Sequence, residues 1–261
     1  MRLGFTPMTA GMLELEAAFR LAESLALDFV ELSADLHELA PALQEPARVR
    51  ELRRHSGVGV TVHLSYVDLN LASLIPAARQ TAVERTLRGL EFAHQVEAGC
   101  GVLHTGRHYL RHPLADQLVA EALSESLAAL KGASVPVALE NLVLDEDDYL
   151  RTPEELAQLT RQFDLANCLD FGHAHIESNA AGEARLERYL ELLDDTLMHL
   201  HLHNNHGQRD EHLPTPEGSI DYRCYREFLA TFNGTICLEI SSEAGVGRSV
   251  AHLRAVVKGD G

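Results

Sequence analysis

Short runs rich in β-branched and aliphatic residues alternate with longer polar-and-apolar segments along the whole chain. The short runs fall at 3–6, 29–33, 58–63, 101–104, 135–140, 166–170, 196–203 and 235–239. Between them apolar residues recur at helical spacing, as with Leu13, Ala17, Leu21 and Leu25, or Ala82, Leu87, Leu90 and Ala93. Punctuation follows the same division: Thr152-Pro153-Glu154-Glu155 combines an N-cap, a proline at the first helical position and an acidic first turn. A second helix start is expected after Gly218-Ser219-Ile220-Asp221. Eight strand-then-helix units in 261 residues predict one (β/α)8 barrel occupying 1–261 as a single domain. A doubly wound open sheet is disfavoured, because no G-x-G-x-x-G phosphate loop follows the first strand.

Composition narrows the chemistry. The 22 Lys and Arg against 39 Asp and Glu give a net charge of −17, which opposes binding a polyanion. Lysine occurs only at Lys131 and Lys258, so neither a Schiff-base aldolase nor a Walker-type NTPase fits. Cys100, Cys168, Cys224 and Cys237 are widely spaced and predict reduced, mostly buried thiols. No apolar run approaches the roughly 18 residues of a membrane helix, and the first residues lack a signal-type apolar stretch. A cytoplasmic protein without membrane contact is expected, and a helical exterior of this size suits a dimer or tetramer. The tail 257–261 is expected to fray.

Histidine is abundant, with 15 residues. In a barrel of this kind the side chains that matter sit at the C-terminal strand ends. Strands three to eight there carry His63, His104, Glu140, Asp170, His201 and Glu239, and the adjoining loops add His173, Asp210 and His212. Alone, each is more often a helix cap or a satisfied polar group. Together, four carboxylates aimed into one bowl without a counter-charge would repel strongly, and a cation resolves the conflict. Mixed imidazole and carboxylate donors suit a transition metal better than calcium. His199, His201 and His203 share one strand face, so their order of importance stays open at this point, with His175 a neighbour. His37, His55, His94, His108, His112, His206 and His252 fall on helices or outer loops and are expected to be solvated.

The motifs V-H-L-S-Y-V-D-L-N (62–70), V-L-H-T-G-R (102–107), A-L-E-N-L (138–142), C-L-D-F-G-H-A-H (168–175), H-L-H-N-N (201–205), R-D-E-H-L-P (209–214) and C-L-E-I (237–240) resemble the xylose isomerase-like barrel superfamily. Its members include sugar and sugar-phosphate isomerases and epimerases and endonuclease IV of DNA repair. The resemblance spans nearly the whole chain. It implies a central metal on Glu140, Asp170, His201 and Glu239. In the three-metal arrangement, His63, His104 and Glu140 would make one further site and His173, Asp210 and His212 another. One central ion (Mn, Zn, Co or Mg), and up to three, is therefore expected. Tyr66, Arg107, His203 and Arg209 are the expected substrate contacts.

Three activities follow. In a sugar isomerase or epimerase of carbohydrate metabolism, Glu140 and Glu239 would exchange the proton, with His173 orienting or protonating an oxygen. In an endonuclease IV-like phosphodiesterase, clustered metals would activate water, and Tyr66 and Val67 would wedge into DNA. A metal-binding barrel without turnover is the third. Charge disfavours DNA: 33–46 and 65–78 lack Arg and Lys, Asp145-Glu146-Asp147-Asp148 is acidic, and only Arg107, Arg111, Arg209 and Arg248 are placed to face a ligand. A sugar or sugar phosphate needs no more than one or two arginines.

Overall fold

The computed structural model describes residues 1–110, 112–143, 148–150 and 152–259. Eight parallel strands close into a barrel in strict sequence order, β1 against β8 completing the ring. The first half runs β1 (Arg2–Phe5), α1 (Leu15–Ser24), β2 (Phe29–Ser33), α2 (Ala34–Leu39), α3 (Pro46–Ser56), β3 (Gly59–His63), α4 (Pro76–Gln95) and β4 (Gly101–Leu103). It continues with α5 (Pro113–Ala129), β5 (Val137–Glu140), α6 (Pro153–Phe163), β6 (Ala166–Asp170), α7 (Phe171–Ala181) and α8 (Arg185–Leu193). The last quarter is β7 (Leu197–Leu202), α9 (Arg226–Thr231), β8 (Thr235–Leu238) and α10 (Glu243–Lys258).

Strands of a parallel barrel are covered on both faces and are read as nearly continuous buried runs. All five residues of β2 and all four of β5 are buried. The helices are covered on one stripe: α1 buries Leu15, Ala18, Phe19 and Ala22, a spacing of three and four. Four helices, α3, α4, α5 and α6, open on proline, where its missing N–H costs nothing. Thr152 caps α6 by accepting from Glu155 N, as its sequence suggests.

Two local expectations change. The segment after Asp221 begins as a 3-10 turn over Tyr222–Tyr225, and the α-helix starts only at Arg226. The tail does not fray at Val257: α10 runs to Lys258, and Gly259 closes it in the left-handed conformation. Asp260 and Gly261 lie outside the described residues, as do Arg111, Asp145, Glu146 and Asp147. Cys100, Cys168 and Cys237 are buried free thiols, and Cys224 is exposed. Among the described residues no helix is long and apolar enough to cross a membrane.

Candidate metal centre

Strand register brings the strand-end residues to one level. Ser33 faces His63 across β2 and β3, and Asp170 faces His201 across β6 and β7. Glu239 follows β8 directly, its N–H still donating to Leu202 O at 3.2 Å. The nine residues expected as ligands meet at this rim in two overlapping groups.

The first group is built on Glu140, which is buried. His104 Nε2 lies 3.0 Å from Glu140 Oε2, and His63 Nε2 lies 3.5 Å from it. On the other oxygen, His201 Nδ1 stands 3.2 Å away, and the same nitrogen is 3.6 Å from Glu239 Oε2 and 4.0 Å from Asp170 Oδ2. His201 thus presents Nδ1 to all three carboxylates of the expected central site.

The second group surrounds Asp210. His212 Nε2, His203 Nε2 and His173 Nε2 approach its carboxylate to 3.0, 3.3 and 3.4 Å, and His203 Nε2 is also 3.3 Å from Asp170 Oδ1. His203, expected as a substrate contact, is fully buried between these two carboxylates. Of the three alternating histidines, His199 lies deepest, its Nε2 3.0 Å from Glu31 Oε2 and its Nδ1 2.6 Å from Thr235 Oγ1.

Backbone carbonyls set the imidazole tautomers. Nδ1 of His63, His173, His203 and His212 faces Leu64 O, Asn141 O, Asn204 O and Glu239 O at 3.0, 2.9, 3.4 and 2.9 Å. In the neutral ring, a proton on Nδ1 leaves the Nε2 lone pair aimed into the rim, the arrangement that metal-binding histidines adopt. The side chain of Asn141 ties β5 to β6 by donating to Asp170 O at 3.0 Å and accepting from Asp170 N at 2.7 Å. Asp170 in turn caps α7 by accepting from His173 N.

The electrostatics match this crowding. Burial pushes the Glu140 carboxyl up, but the His201 and His104 charges and hydrogen bonds prevail and hold it well below its ordinary range. Glu31 behaves likewise, burial being overcome by His201 and His199. Burial opposes protonation of His63, yet Glu140, Glu31 and Glu239 lift it to about 9. His212 also reaches about 9, with Asp210 and Glu239 outweighing burial. For His104 burial wins, and its pKa is lowered despite Glu140. Despite this density of partners, Asp170 Oδ2 and His203 Nε2 are buried without an aligned hydrogen bond. Asp170, His173 and His203 offer donor atoms of mixed O and N type within 4.8 Å of one another, a set that fits a divalent transition-metal ion.

Above the rim lies a cavity of about 900 Å³. His104, His173 and Asp210 contribute to its floor, with Tyr66, Val67, Leu69, Leu142 and Tyr109 along its walls. Tyr66 meets His63 edge-on and His104 at a tilt, with ring centroids 4.9 Å from each. Its loop is held by a residue that escaped the sequence reading: Asp35 Oδ2 accepts from Tyr66 N and Val67 N at 3.0 and 3.2 Å, while Oδ1 binds Arg85 at 2.8 Å. Arg107 lines the cavity beside Asp68 and Asp148. Arg209 is exposed and absent from that lining, and Arg248 pairs with Glu217 at 2.8 Å. His108, expected to be solvated, is buried against Asp116 at 2.8 Å.

A closed (β/α)8 barrel with clustered metal-type donors at its C-terminal rim defines the class. The chain belongs to the xylose isomerase-like TIM barrel family, which it matches over residues 19–256. Protein MJ1311 of Methanocaldococcus jannaschii is 28% identical over 200 residues, covering 72% of this chain and 67% of its own. A D-tagatose 3-epimerase-like protein superposes with a TM-score of 0.81 at 23% identity, covering 100% of this chain and 98% of that one. The TTHB071 protein of Thermus thermophilus, soaked with ZnCl2, gives 0.73 at 27% identity over 100% and 99%.

Proposed function

We propose that the chain is a divalent-metal-dependent isomerase or epimerase acting on a sugar or sugar phosphate. The observation that carries this reading is the convergence of Glu140, Asp170 and Glu239 on His201 Nδ1, next to His104 and His173, which line a cavity of about 900 Å³, within the range that encloses a small polar ligand. The four converging side chains would hold the central ion. Bound there, a divalent ion supplies Lewis acidity to adjacent carbonyl and hydroxyl oxygens of a ketose.

The chain's own residues supply the proton transfer. Glu140 ends β5 and Glu239 follows β8, and both carboxylates reach His201 Nδ1, at 3.2 and 3.6 Å; a substrate carbon held between them would lose a proton to one and regain it from the other. Glu140 is held ionised, as a base requires. His173 Nε2 faces the cavity floor and is placed to steady a substrate oxygen. Tyr66 and Leu142 cover the apolar face of a sugar ring, while Asp68 and Arg107 are placed to meet its hydroxyls.

The fold-similar D-tagatose 3-epimerase-like protein is consistent with this reading. The group around Asp210 favours a second reading, multi-metal phosphodiester hydrolysis, because it offers separate donors for further ions. Two measurements separate them. Metal content near one ion per chain, with deuterium from solvent entering a ketose beside its carbonyl, supports isomerisation. Near three ions, with incision of an abasic duplex, supports hydrolysis. Glu140→Gln and Glu239→Gln should each fold and lose about 10²–10⁴-fold in turnover; near-normal rates in both would remove the proton-transfer assignment.

A further inference from the structure

Four rim imidazoles share one orientation, with Nδ1 on a backbone carbonyl and Nε2 toward the rim. His201 is turned the other way. Its Nδ1 faces Glu140, Glu239 and Asp170, and its Nε2 points down into the barrel. Among the described residues no main-chain carbonyl meets that nitrogen. Glu31 Oε1 does, at 2.9 Å, from β2 on the far wall of the barrel interior.

We infer that Glu31 is a positioning residue that fixes the proton of His201 on Nε2 and so aims its Nδ1 lone pair at the ion held by the rim carboxylates. This rests on the metal-dependent reading above. A neutral imidazole carries one proton, and the partner of its remote nitrogen decides which nitrogen is free to bind a metal. Nδ1 faces Glu140 Oε1 in a hydrogen bond at 3.2 Å; with a cation taking up the rim carboxylates instead, the anionic oxygen beside Nε2 stabilises the ring's proton there. Glu31 sits off the ring's N–H axis, so its influence is chiefly electrostatic, and between groups this deeply buried charge acts strongly. The carboxylate is itself held in place: Thr61 Oγ1 donates to Oε2 at 2.8 Å, and His199 Nε2 stands 3.0 Å from the same oxygen. Thr61 faces Glu31 in the β2–β3 register, two residues before His63, so the deep layer and the rim layer are linked by two strands.

The test uses the full-length protein and Co(II) or Zn(II) alone. Competition against a chromophoric chelator gives the affinity of wild type, Glu31→Gln and Thr61→Val. Glu31→Gln keeps the side chain's size and removes its charge; it should weaken binding about 10–100-fold. Thr61→Val, which frees the carboxylate to turn, should weaken it by less. In zinc-loaded wild-type protein, ¹⁵N-correlated spectra should show His201 protonated on Nε2. Should Glu31→Gln fail to fold, Thr61→Val and the wild-type spectrum decide. Unchanged affinity in the folded variants, or a His201 proton on Nδ1, overturns the assignment of Glu31. A wild-type chain that binds neither ion instead overturns the metal-dependent reading itself.

Discussion

Glu177 on α7, one turn beyond His173, shows what an acid costs when burial outweighs its partners. Burial pushes its carboxyl up to about 7, only partly offset by the hydroxyl of Tyr189 at 2.9 and 3.2 Å and by the charge of Arg185. The folded pKa therefore lies above the unfolded value near 4.5. Between those values the folded state holds a proton that the unfolded state has released, so stability falls as pH rises from about 4.5 to about 7 and stays lowered above. The span corresponds to on the order of 3 kcal/mol. Glu177→Gln, which can still accept from Tyr189, should raise the midpoint of denaturant unfolding at pH 8 and leave it nearly unchanged at pH 4.5. Equal shifts at both pH values would rule out a titrating buried carboxyl. At this scale the strand-end donors were legible because each stands at the end of a recognisable β-run. Glu31, Asp35 and Asn141 were not, since they act through other residues: one acid inside F-V-E-L-S carries no sign of which histidine it meets. The depth of His203 was not legible for a related reason. Alternation puts three histidines on one face but does not say how deep each lies.

At the scale of elements, a tight constraint lies where α7 leaves β6. Asp170 ends the strand, caps the helix and faces His203, so the first turn of α7 must run against that imidazole. A Cβ on Gly172 would lie 1.9 Å from His203 Cε1 and 2.2 Å from Nε2. His203 is fully buried and has no space to retreat. Gly172→Ala should therefore destabilise by about 1–3 kcal/mol, the usual cost of overpacking, and should weaken metal binding at the Asp210 group more than at Glu140. Calorimetry gives the first quantity and metal titration the second; a variant as stable as wild type would show that the ring and helix adjust freely. The pattern of alternating strands and helices was legible because parallel strands covered on both sides are continuous apolar runs, as in V-A-L-E of β5. Boundaries were less so. The 3-10 turn at Tyr222–Tyr225 arises because Asp221 accepts from Arg223 N, a local bond that tightens the first turn before α9 begins.

Across the whole molecule, the donors come from β3 through β8 and span His63 to Glu239, so only the closed barrel assembles them. The unfolded chain cannot offer that arrangement, so in the metal-dependent reading proposed above ion binding would be coupled to folding. The net charge of −17 adds to this, since a cation at the rim relieves repulsion among Glu140, Asp170, Asp210 and Glu239. The same charge, with Asp68 and Asp148 beside Arg107 in the cavity, runs against a polyanionic duplex and favours a small polar substrate. Free Mn, Co or Zn at about 100 times its dissociation constant should stabilise the fold by about 2.7 kcal/mol. For a chain of this length that is a rise on the order of 5–10 °C in melting temperature. EDTA should reverse it, and Glu140→Gln, which removes the charge shared by His63, His104 and His201, should abolish most of it. A melting temperature indifferent to all of these ions and to Mg would leave the rim's carboxylates balanced by protonated imidazoles alone, and the proposed chemistry would lose its cation.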